Sequence, residues 1–473
     1  MPRCKASGRT AVLSDSLVPP SYALSVLDAI EGAGYEAWIV GGWVRDALRG
    51  SAGHDVDVTT SAPWQESARI LRAAGMAVVE TGTKHGTVTA ICEGHPVEVT
   101  TFRVEGSYSD HRHPDEVRFV QDVKEDLARR DLTINAMAWH PIRGMLDPFG
   151  GQQDLESGVV RAVGNPSVRF EEDALRVLRA VRFCVRLGFS IEQGTQQALL
   201  DKAHLLRGVA SERIGQELDA IVRSGRVGTA LLEQPEVMCQ AVPELAAARG
   251  FDQRSVYHIY DVYEHIAHVC NAAQAFTAGL AVPELQWAAL LHDVAKPATY
   301  SQDVEGHGHF FCHPAEGARM ARAIMRRLAL SSDVAVPACE LIRLHDERMP
   351  ATALAVRQLL ARLSHKCAGR EVSVAFSLFD LRRADAVSKC PSVASWASEL
   401  DRYSALLRDE VARGPVYSVR QLAVSGADVM RACGLPAGPG VGMQLDMLLN
   451  AVMEGEVPNN RNALLRWLVG NAR

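Results

Sequence analysis

Apolar residues at Leu24, Leu27 and Ile30 recur at helical spacing and predict a helix over 22–32. Residues 37–40 are continuously apolar and predict a strand that runs into Gly41-Gly42, with a second helix starting near Val44. His54-Asp55-Val56-Asp57-Val58-Thr59-Thr60 alternates polar and apolar, as a half-buried strand does. Residues 63–74 read as helix, and 77–80, 87–92 and 97–102 as short strands. Strands mixed with helices up to about residue 150 predict a small α/β or α+β domain. From about Val168 long amphipathic segments continue to the end and predict an all-helical arm. Breaks are expected near 223–227, 245–255 and 388–393, and Gly434-Leu435-Pro436-Ala437-Gly438-Pro439-Gly440 reads as a loop.

At 473 residues the chain has room for about three domains. Hydrophobic residues make up 47 % and charged residues 22 %, which places it among folded globular proteins. A net charge of −6 excludes a generally basic nucleic-acid coat but leaves room for a local basic track. Such a track exists: ten Arg and one Lys face eight acids between Arg161 and Arg226, a local charge of +3. Ten cysteines without a CxxC pair exclude a zinc ribbon and read as reduced, mostly buried thiols of a cytoplasmic protein. No apolar run approaches the roughly 18 residues of a membrane span. Residues 1–21 have no apolar core long enough for a signal peptide and read as a disordered leader.

Asp55 and Asp57 stand two apart on a strand-like segment, so both carboxylates point to one face. Such a pair can hold the Mg²⁺ ions of phosphoryl transfer. Alone the spacing is equally that of a solvated strand end. Here it follows Gly41-Gly42-Trp43-Val44-Arg45-Asp46, a turn whose backbone N–H groups can approach a triphosphate, with Arg45 adding charge.

Together these residues resemble the signature of polymerase-β-like nucleotidyltransferases, and in particular the class II tRNA nucleotidyltransferase and poly(A) polymerase family. The resemblance implies nucleotide contacts at Gly41, Gly42, Arg45 and Asp46, and metal binding at Asp55 and Asp57. Val97-Glu98-Val99-Thr100-Thr101-Phe102-Arg103 matches a strand of the family's head, where Glu98 is either a third carboxylate near the metals or a strand-surface charge. Residues 108–114 resemble the flexible loop after that strand, with His111 where a glycine is usual. Arg129-Arg130-Asp131-Leu132-Thr133-Ile134-Asn135-Ala136-Met137-Ala138 matches the segment that puts Arg130 on the nucleotide.

Glu172-Asp173-Ala174-Leu175-Arg176 resembles the family's EDxxR motif, with Ala174 in place of proline. On a helix Asp173 and Arg176 would be neighbours, and an intrahelical salt bridge is the plain alternative. Arg only donates and ionised Asp only accepts. Such a pair matches the amino donor and ring-nitrogen acceptor shared by cytosine and adenine, and mismatches uracil and guanine. The resemblance also puts Arg179 and Arg182 near the nucleotide, although three-residue steps wind around a helix and favour Arg179. Arg186 is a candidate for an RNA-facing surface or a solvated side chain. Ser211-Glu212-Arg213-Ile214-Gly215-Gln216-Glu217-Leu218 resembles the family's last motif and is expected to pack helices.

A second constellation follows: His265, His292-Asp293, His313, His345 and Asp385. The order resembles the HD phosphohydrolase superfamily, with ligands suited to a divalent transition metal. A degenerate domain kept for RNA binding is the alternative.

The expected architecture is multidomain: a small α/β (α+β) polymerase-β-like nucleotidyltransferase head (22–150), an all-α neck (151–225), an HD-containing helical body (250–390) and a helical tail (391–473). The family resemblance implies addition of CCA to the acceptor end of tRNA from CTP and ATP, with Mg²⁺ as cofactor. No membrane and no obligatory protein partner are expected. An A-adding, CC-adding or poly(A)-adding relative remains open, as does an HD phosphohydrolase with a nucleotide-binding head.

Overall fold

The computed structural model describes residues 17–51, 53, 55–106, 116–393 and 395–471. Residues 1–16 of the expected leader and the loop at 108–114 with His111 lie outside them. The chain divides into two compact units, residues 1–217 and 218–473. Residues 17–21 are not a disordered leader, since Leu17 is buried in the core of the first unit and Ser21 opens its first helix.

The first unit opens with α1 (Ser21–Gly32), β1 (Ala37–Val40), α2 (Gly42–Leu48), β2 (Val56–Thr60), α3 (Trp64–Ala73), β3 (Ala77–Gly82), β4 (Thr87–Cys92) and β5 (His95–Thr101). There follow β6 (Arg103–Glu105), β7 (Val117–Phe119), α4 (Val123–Ala128), β8 (Ala138–His140) and β9 (Gly144–Leu146). Seven strands form one mixed sheet in the order β3-β4-β5-β2-β1-β8-β9, in which β2 and β5 are parallel. The period of two sorts its faces. Ile39, Val58 and Val99 join α1 and α3 residues in one core, whereas Trp38, Val40 and Ala138 pack against Val123 and Leu127 of α4. Asp57 pairs with Val40 on one side and with Glu98 on the other, so it lies on the α4 face of the sheet.

The unit closes with α5 (Gly151–Ser157), β10 (Val159–Val160), α6 (Pro166–Glu172), α7 (Leu175–Leu187), β11 (Ser190–Ile191), α8 (Gln193–Lys202) and the start of α9 (Ser211–Arg223). The expected continuous helix across the EDxxR motif is not formed. α6 ends at Glu172, Asp173 is extended (φ −135°, ψ 104°), and its carboxylate accepts the Leu175 N–H at 3.1 Å, capping α7.

The second unit runs from α10 (Val227–Glu233), α11 (Pro235–Ala241), α12 (Val262–Phe276) and α13 (Pro283–Leu291) to β12 (Tyr300–Gln302), β13 (Gly308–Phe310), α14 (His313–Arg327), α15 (Ser332–Leu344) and α16 (Ala353–Ser364). It ends in α17 (Glu371–Val387), α18 (Ser395–Ala412), α19 (Gly426–Cys433), α20 (Pro439–Glu454) and α21 (Arg461–Asn471). The helical breaks fall where Gly and Pro predict them. The arm is not purely helical, however: β12 and β13 form an antiparallel hairpin, and β10 pairs with β11 in the first unit. These strands are two or three residues long, too short for a periodic signal. Among the described residues no helix is long and apolar enough to cross a membrane. The nine described cysteines are free thiols, seven of them buried.

Candidate active site and metal centre

Gly41 ends β1 and turns the chain into α2 with φ 74°, a conformation that suits glycine. A Cβ there would stand 3.0 Å from Arg130 Nη1 and 3.9 Å from an Asp57 oxygen. The Gly41 N–H donates to the Met137 carbonyl at 3.2 Å, so this glycine supplies close approach and not the donor expected of it. Asp55 precedes β2 and is exposed, Asp57 is half-buried, and Glu98 is exposed on the neighbouring strand. Burial lifts the Asp57 carboxyl to about 6; Arg130 opposes this, and the like charges of Glu98 and Asp55 reinforce it. Asp57 is thus a carboxyl reluctant to ionise, with Asp55 and Glu98 acting on it through space, and a divalent cation would favour its charged form.

Beside Asp57 opens a cavity of about 430 Å³. Its lining includes Gly41, Gly42, seven arginines (Arg45, Arg129, Arg130, Arg176, Arg179, Arg182, Arg186) and the carboxylates of Asp57, Asp131 and Asp173. Such an excess of cations suits a polyphosphate. Asp46 is not part of the lining. It accepts from Arg45 Nε and Nη2 at 2.9 and 2.8 Å, while Arg45 Nη1 donates to Asn135 at 2.6 Å, so Asp46 orients an arginine. Arg129 and Arg130 are gathered by the buried Asp126, at 2.8 and 3.5 Å.

Asp173 and Arg176 both line the cavity but are not paired with each other in the way helical spacing suggests. Arg176 donates to Glu172 at 2.7 Å and to the Arg129 carbonyl at 3.1 Å. Asp173 is gripped by Arg213 of α9. Arg179 donates to Asp131 at 2.8 Å and to Glu217 at 3.4 Å, and Arg182 donates to Glu217 at 2.5 Å. Arg182 therefore faces the cavity with Arg179, against the winding argument, because Glu217 draws both inward. Arg186 is exposed and also lines this cavity. The segment expected only to pack helices thus supplies Arg213 and Glu217, which hold cavity-lining side chains without lining it themselves. Asp131 lies well below the usual carboxylate range: burial would raise it, but Arg179 and its hydrogen bonds outweigh burial.

In the second unit the six HD residues come together. His265, His292 and Asp385 offer ligand atoms within 4.8 Å of one another, and so do Asp293, His313 and His345. His292 directly follows α13, and Asp293 lies between the two groups. One of its oxygens is 3.1 Å from His292 and 3.5 Å from His265, and the other is 3.5 Å from His313 and 3.8 Å from His345. The Nδ1 atoms of His292, His313 and His345 face backbone carbonyls of Ala289, Phe310 and Ile342 at 2.7–2.8 Å. A carbonyl only accepts, so each Nδ1 carries the proton and each Nε2 lone pair faces the centre. His292 Nε2 and both Asp293 oxygens are buried without an aligned hydrogen bond, which fits a site built for metal. Sequence reasoning missed Lys296 and Lys389, which hold Asp293 at 2.7 Å and Asp385 at 2.5 Å.

The sequence matches the poly A polymerase head domain over residues 37–161, the HD domain over 256–402 and a tRNA nucleotidyltransferase domain 2 over 384–468. A CCA-adding enzyme of Geobacillus thermodenitrificans is 32 % identical over 456 residues, 96 % of this chain and 98 % of that protein. One of Lactobacillus helveticus is 49 % identical over 195 residues, 41 % of this chain and 48 % of that protein. The crystal structure of the Bacillus stearothermophilus CCA-adding enzyme in complex with CTP superimposes with a TM-score of 0.70 at 30 % identity, covering 95 % of this chain and 96 % of that one.

Proposed function

The chain belongs to the CCA-adding enzymes, and from that membership we propose how its own residues build the 3′ end of tRNA from CTP and ATP. The RNA 3′ hydroxyl attacks the α-phosphorus of the nucleotide, a new P–O bond forms, and the bond to the β-phosphate oxygen breaks to release pyrophosphate. Asp55 and Asp57, with Glu98 beside them, would hold divalent cations, here Mg²⁺, which supply charge neutralisation at the reacting oxygens. Gly41 and Gly42 allow the triphosphate to approach the backbone. Arg130, Arg179 and Arg182 bind it, and Arg45, fixed by Asp46 and Asn135, closes that wall. Asp173 accepts the amino group of cytosine or adenine and Arg176 donates to the ring nitrogen. A carboxylate has about four lone-pair sites, so the Arg213 grip leaves room for a base. Catalysis is then mainly positioning and charge stabilisation. A cytoplasmic location, consistent with the free thiols, is part of the proposal.

The observation that carries this reading is Asp57, paired across the sheet with Glu98 and reluctant to ionise, on the lining of an arginine-rich cavity. The test uses tRNA transcripts ending before CCA, before CA and before A, each given one labelled nucleotide at a time. C, C and A should add in order, and Asp57→Asn should abolish all three. Addition of A alone, of CC alone or of an A tail would assign a narrower relative.

The six-residue HD group, joined through Asp293, favours a second reading, a divalent-metal phosphohydrolase in the same chain. Hydrolysis of a chromogenic phosphate ester that survives Asp57→Asn and disappears with Asp293→Ala tests it.

A further inference from the structure

Phe183 of α7 is buried, and among the described residues it is the only apolar side chain on the lining of the arginine-rich cavity. Three of the cavity's guanidinium groups stand over its ring. Their Cζ atoms lie 4.3 Å (Arg182), 5.0 Å (Arg45) and 5.8 Å (Arg179) from the ring centre. All three are within the roughly 6 Å at which a guanidinium is drawn to the electron-rich face of an aromatic ring. Helical spacing accounts for Arg179, which precedes Phe183 by one turn of α7. Arg45 comes from α2, so the ring joins cations carried by two different elements.

Cations crowded in this way repel one another. Carboxylates answer part of that repulsion: Asp46 takes Arg45, Asp131 takes Arg179, and Glu217 takes both Arg179 and Arg182. Burial and the like charge of Arg179 still press the Arg182 guanidinium below its usual range, against the pull of Glu217. Each of these contacts is made along the edge of a guanidinium, where its N–H groups lie. The plane is a second surface, and an aromatic ring suits it. A guanidinium carries five N–H groups, more than the carboxylates and Asn135 take from any of the three. The edges therefore keep donors for a ligand while the faces rest on the ring.

We propose that Phe183 is a positioning residue of the triphosphate site: its ring gathers Arg45, Arg179 and Arg182 so that their remaining N–H groups converge on one polyphosphate. It acts through the arginines and not by touching phosphate. Without it the three side chains would spread apart, and the ligand would have to collect them at the expense of its own affinity. The proposal rests on the reading of this cavity as the nucleotide site.

The test keeps the shape of the ring and changes its charge distribution. Phenylalanines with one, two and three ring fluorines are placed at position 183 of the full chain. Each fluorine withdraws electron density from the face and weakens its pull on a cation. Inorganic tripolyphosphate and CTP are titrated by calorimetry in Mg²⁺ buffer, and the binding abolished by Arg182→Ala is assigned to this cavity. Melting temperature and single-nucleotide addition to tRNA are measured alongside. Affinity for both probes should fall stepwise, by about tenfold in all at three fluorines. KM for CTP should rise in parallel while the melting temperature holds. Phe183→Leu should lose at least as much, and the fluorine series decides if that variant melts early. A side chain that only packs would leave affinity flat across the series, and that result overturns the proposal. So does a loss for CTP alone, which would mean that the ring stacks on the base. If Arg182→Ala abolishes no binding, the proposal and the reading of the cavity fall together. A fluorine-dependent tripolyphosphate affinity in a chain that adds no nucleotide to tRNA would leave the proposal standing and defeat the reading of the activity. A flat series in a chain that adds C, C and A would do the reverse.

Discussion

Arg213 donates both terminal guanidinium nitrogens to the carboxylate of Asp173, Nη1 to Oδ1 at 3.2 Å and Nη2 to Oδ2 at 2.8 Å. Asp173 is in the extended break between α6 and α7; its carbonyl accepts the Arg176 N–H at 3.0 Å, but that backbone bond does not aim its side chain. Its direction is therefore set by α9 and by its own cap on Leu175. Arg213→Ala should leave the carboxylate in the cavity but poorly aimed. A charge-assisted contact of this type is worth about 1.5–3 kcal/mol. Single-nucleotide assays should show discrimination of CTP over UTP falling by about tenfold or more, with a smaller fall in turnover. In a double-mutant cycle with Asp173→Ala the two losses should not add. Additive losses would mean that Arg213 acts elsewhere.

Asp131 and Arg179 form the neighbouring pair, and it carries a pH signature. The folded-state carboxyl is depressed, so its contribution to stability is complete above the unfolded value of about 3.9 and is lost as pH falls towards the folded value. Asp131→Asn breaks a buried pair and leaves Arg179 without its main partner, a loss of about 3 kcal/mol near neutrality. Urea denaturation of both proteins should show this gap shrinking from about pH 5 downwards. A gap that is constant with pH would show that the substitution acts by packing.

Asp57 shifts the opposite way. Its carboxyl is raised to about 6, so without metal the folded chain binds a proton there that the unfolded chain has already released at pH 5. Ionising Asp57 costs stability above pH 5, and a bound cation offsets that cost. The rise in melting temperature on adding Mg²⁺ should therefore be large near about pH 7.5 and small near about pH 5. Asp57→Asn should remove most of it at both. A Mg²⁺ effect that is equal at the two pH values would separate Asp57 from the metal.

Much of this was legible in the residues, for local reasons. The strands at 37–40 and 87–92 follow from apolar and alternating runs, and the pairing of Asp57 with Glu98 follows once β2 and β5 are parallel neighbours. What was not legible depends on contacts across the chain. Helical spacing made Asp173 a neighbour of Arg176, but Arg213, 40 residues away, holds Asp173, and Glu172 takes Arg176. Three-residue drift turned Arg182 away from the nucleotide, but Glu217, 35 residues on, turns it back. The place of Arg45 over the Phe183 ring leaves no trace in composition or spacing, because a contact between distant segments is visible only in three dimensions.

Asp293 faces both ligand groups of the HD centre with a different oxygen, and this separates it from its five companions. On one side are His265, His292 and Asp385; on the other, His313 and His345 complete the set with Asp293 itself. Removing a ligand of one group should empty that group and spare the other, whereas removing the shared carboxylate should disturb both. After saturation with Mn²⁺ and gel filtration, elemental analysis of His345→Ala should show about half the HD-bound metal of the parent, and Asp293→Ala close to none. The comparison is made in an Asp57→Asn background, so that metal in the head does not enter the count. Asp293→Ala should keep its fold, because three buried imidazoles with their Nδ1 protons on backbone carbonyls remain as neutral groups. Lys296 would lose its carboxylate but keep Gln253. Equal metal in His345→Ala and Asp293→Ala would mean a single ion held by all six residues, and the division into two groups would fall.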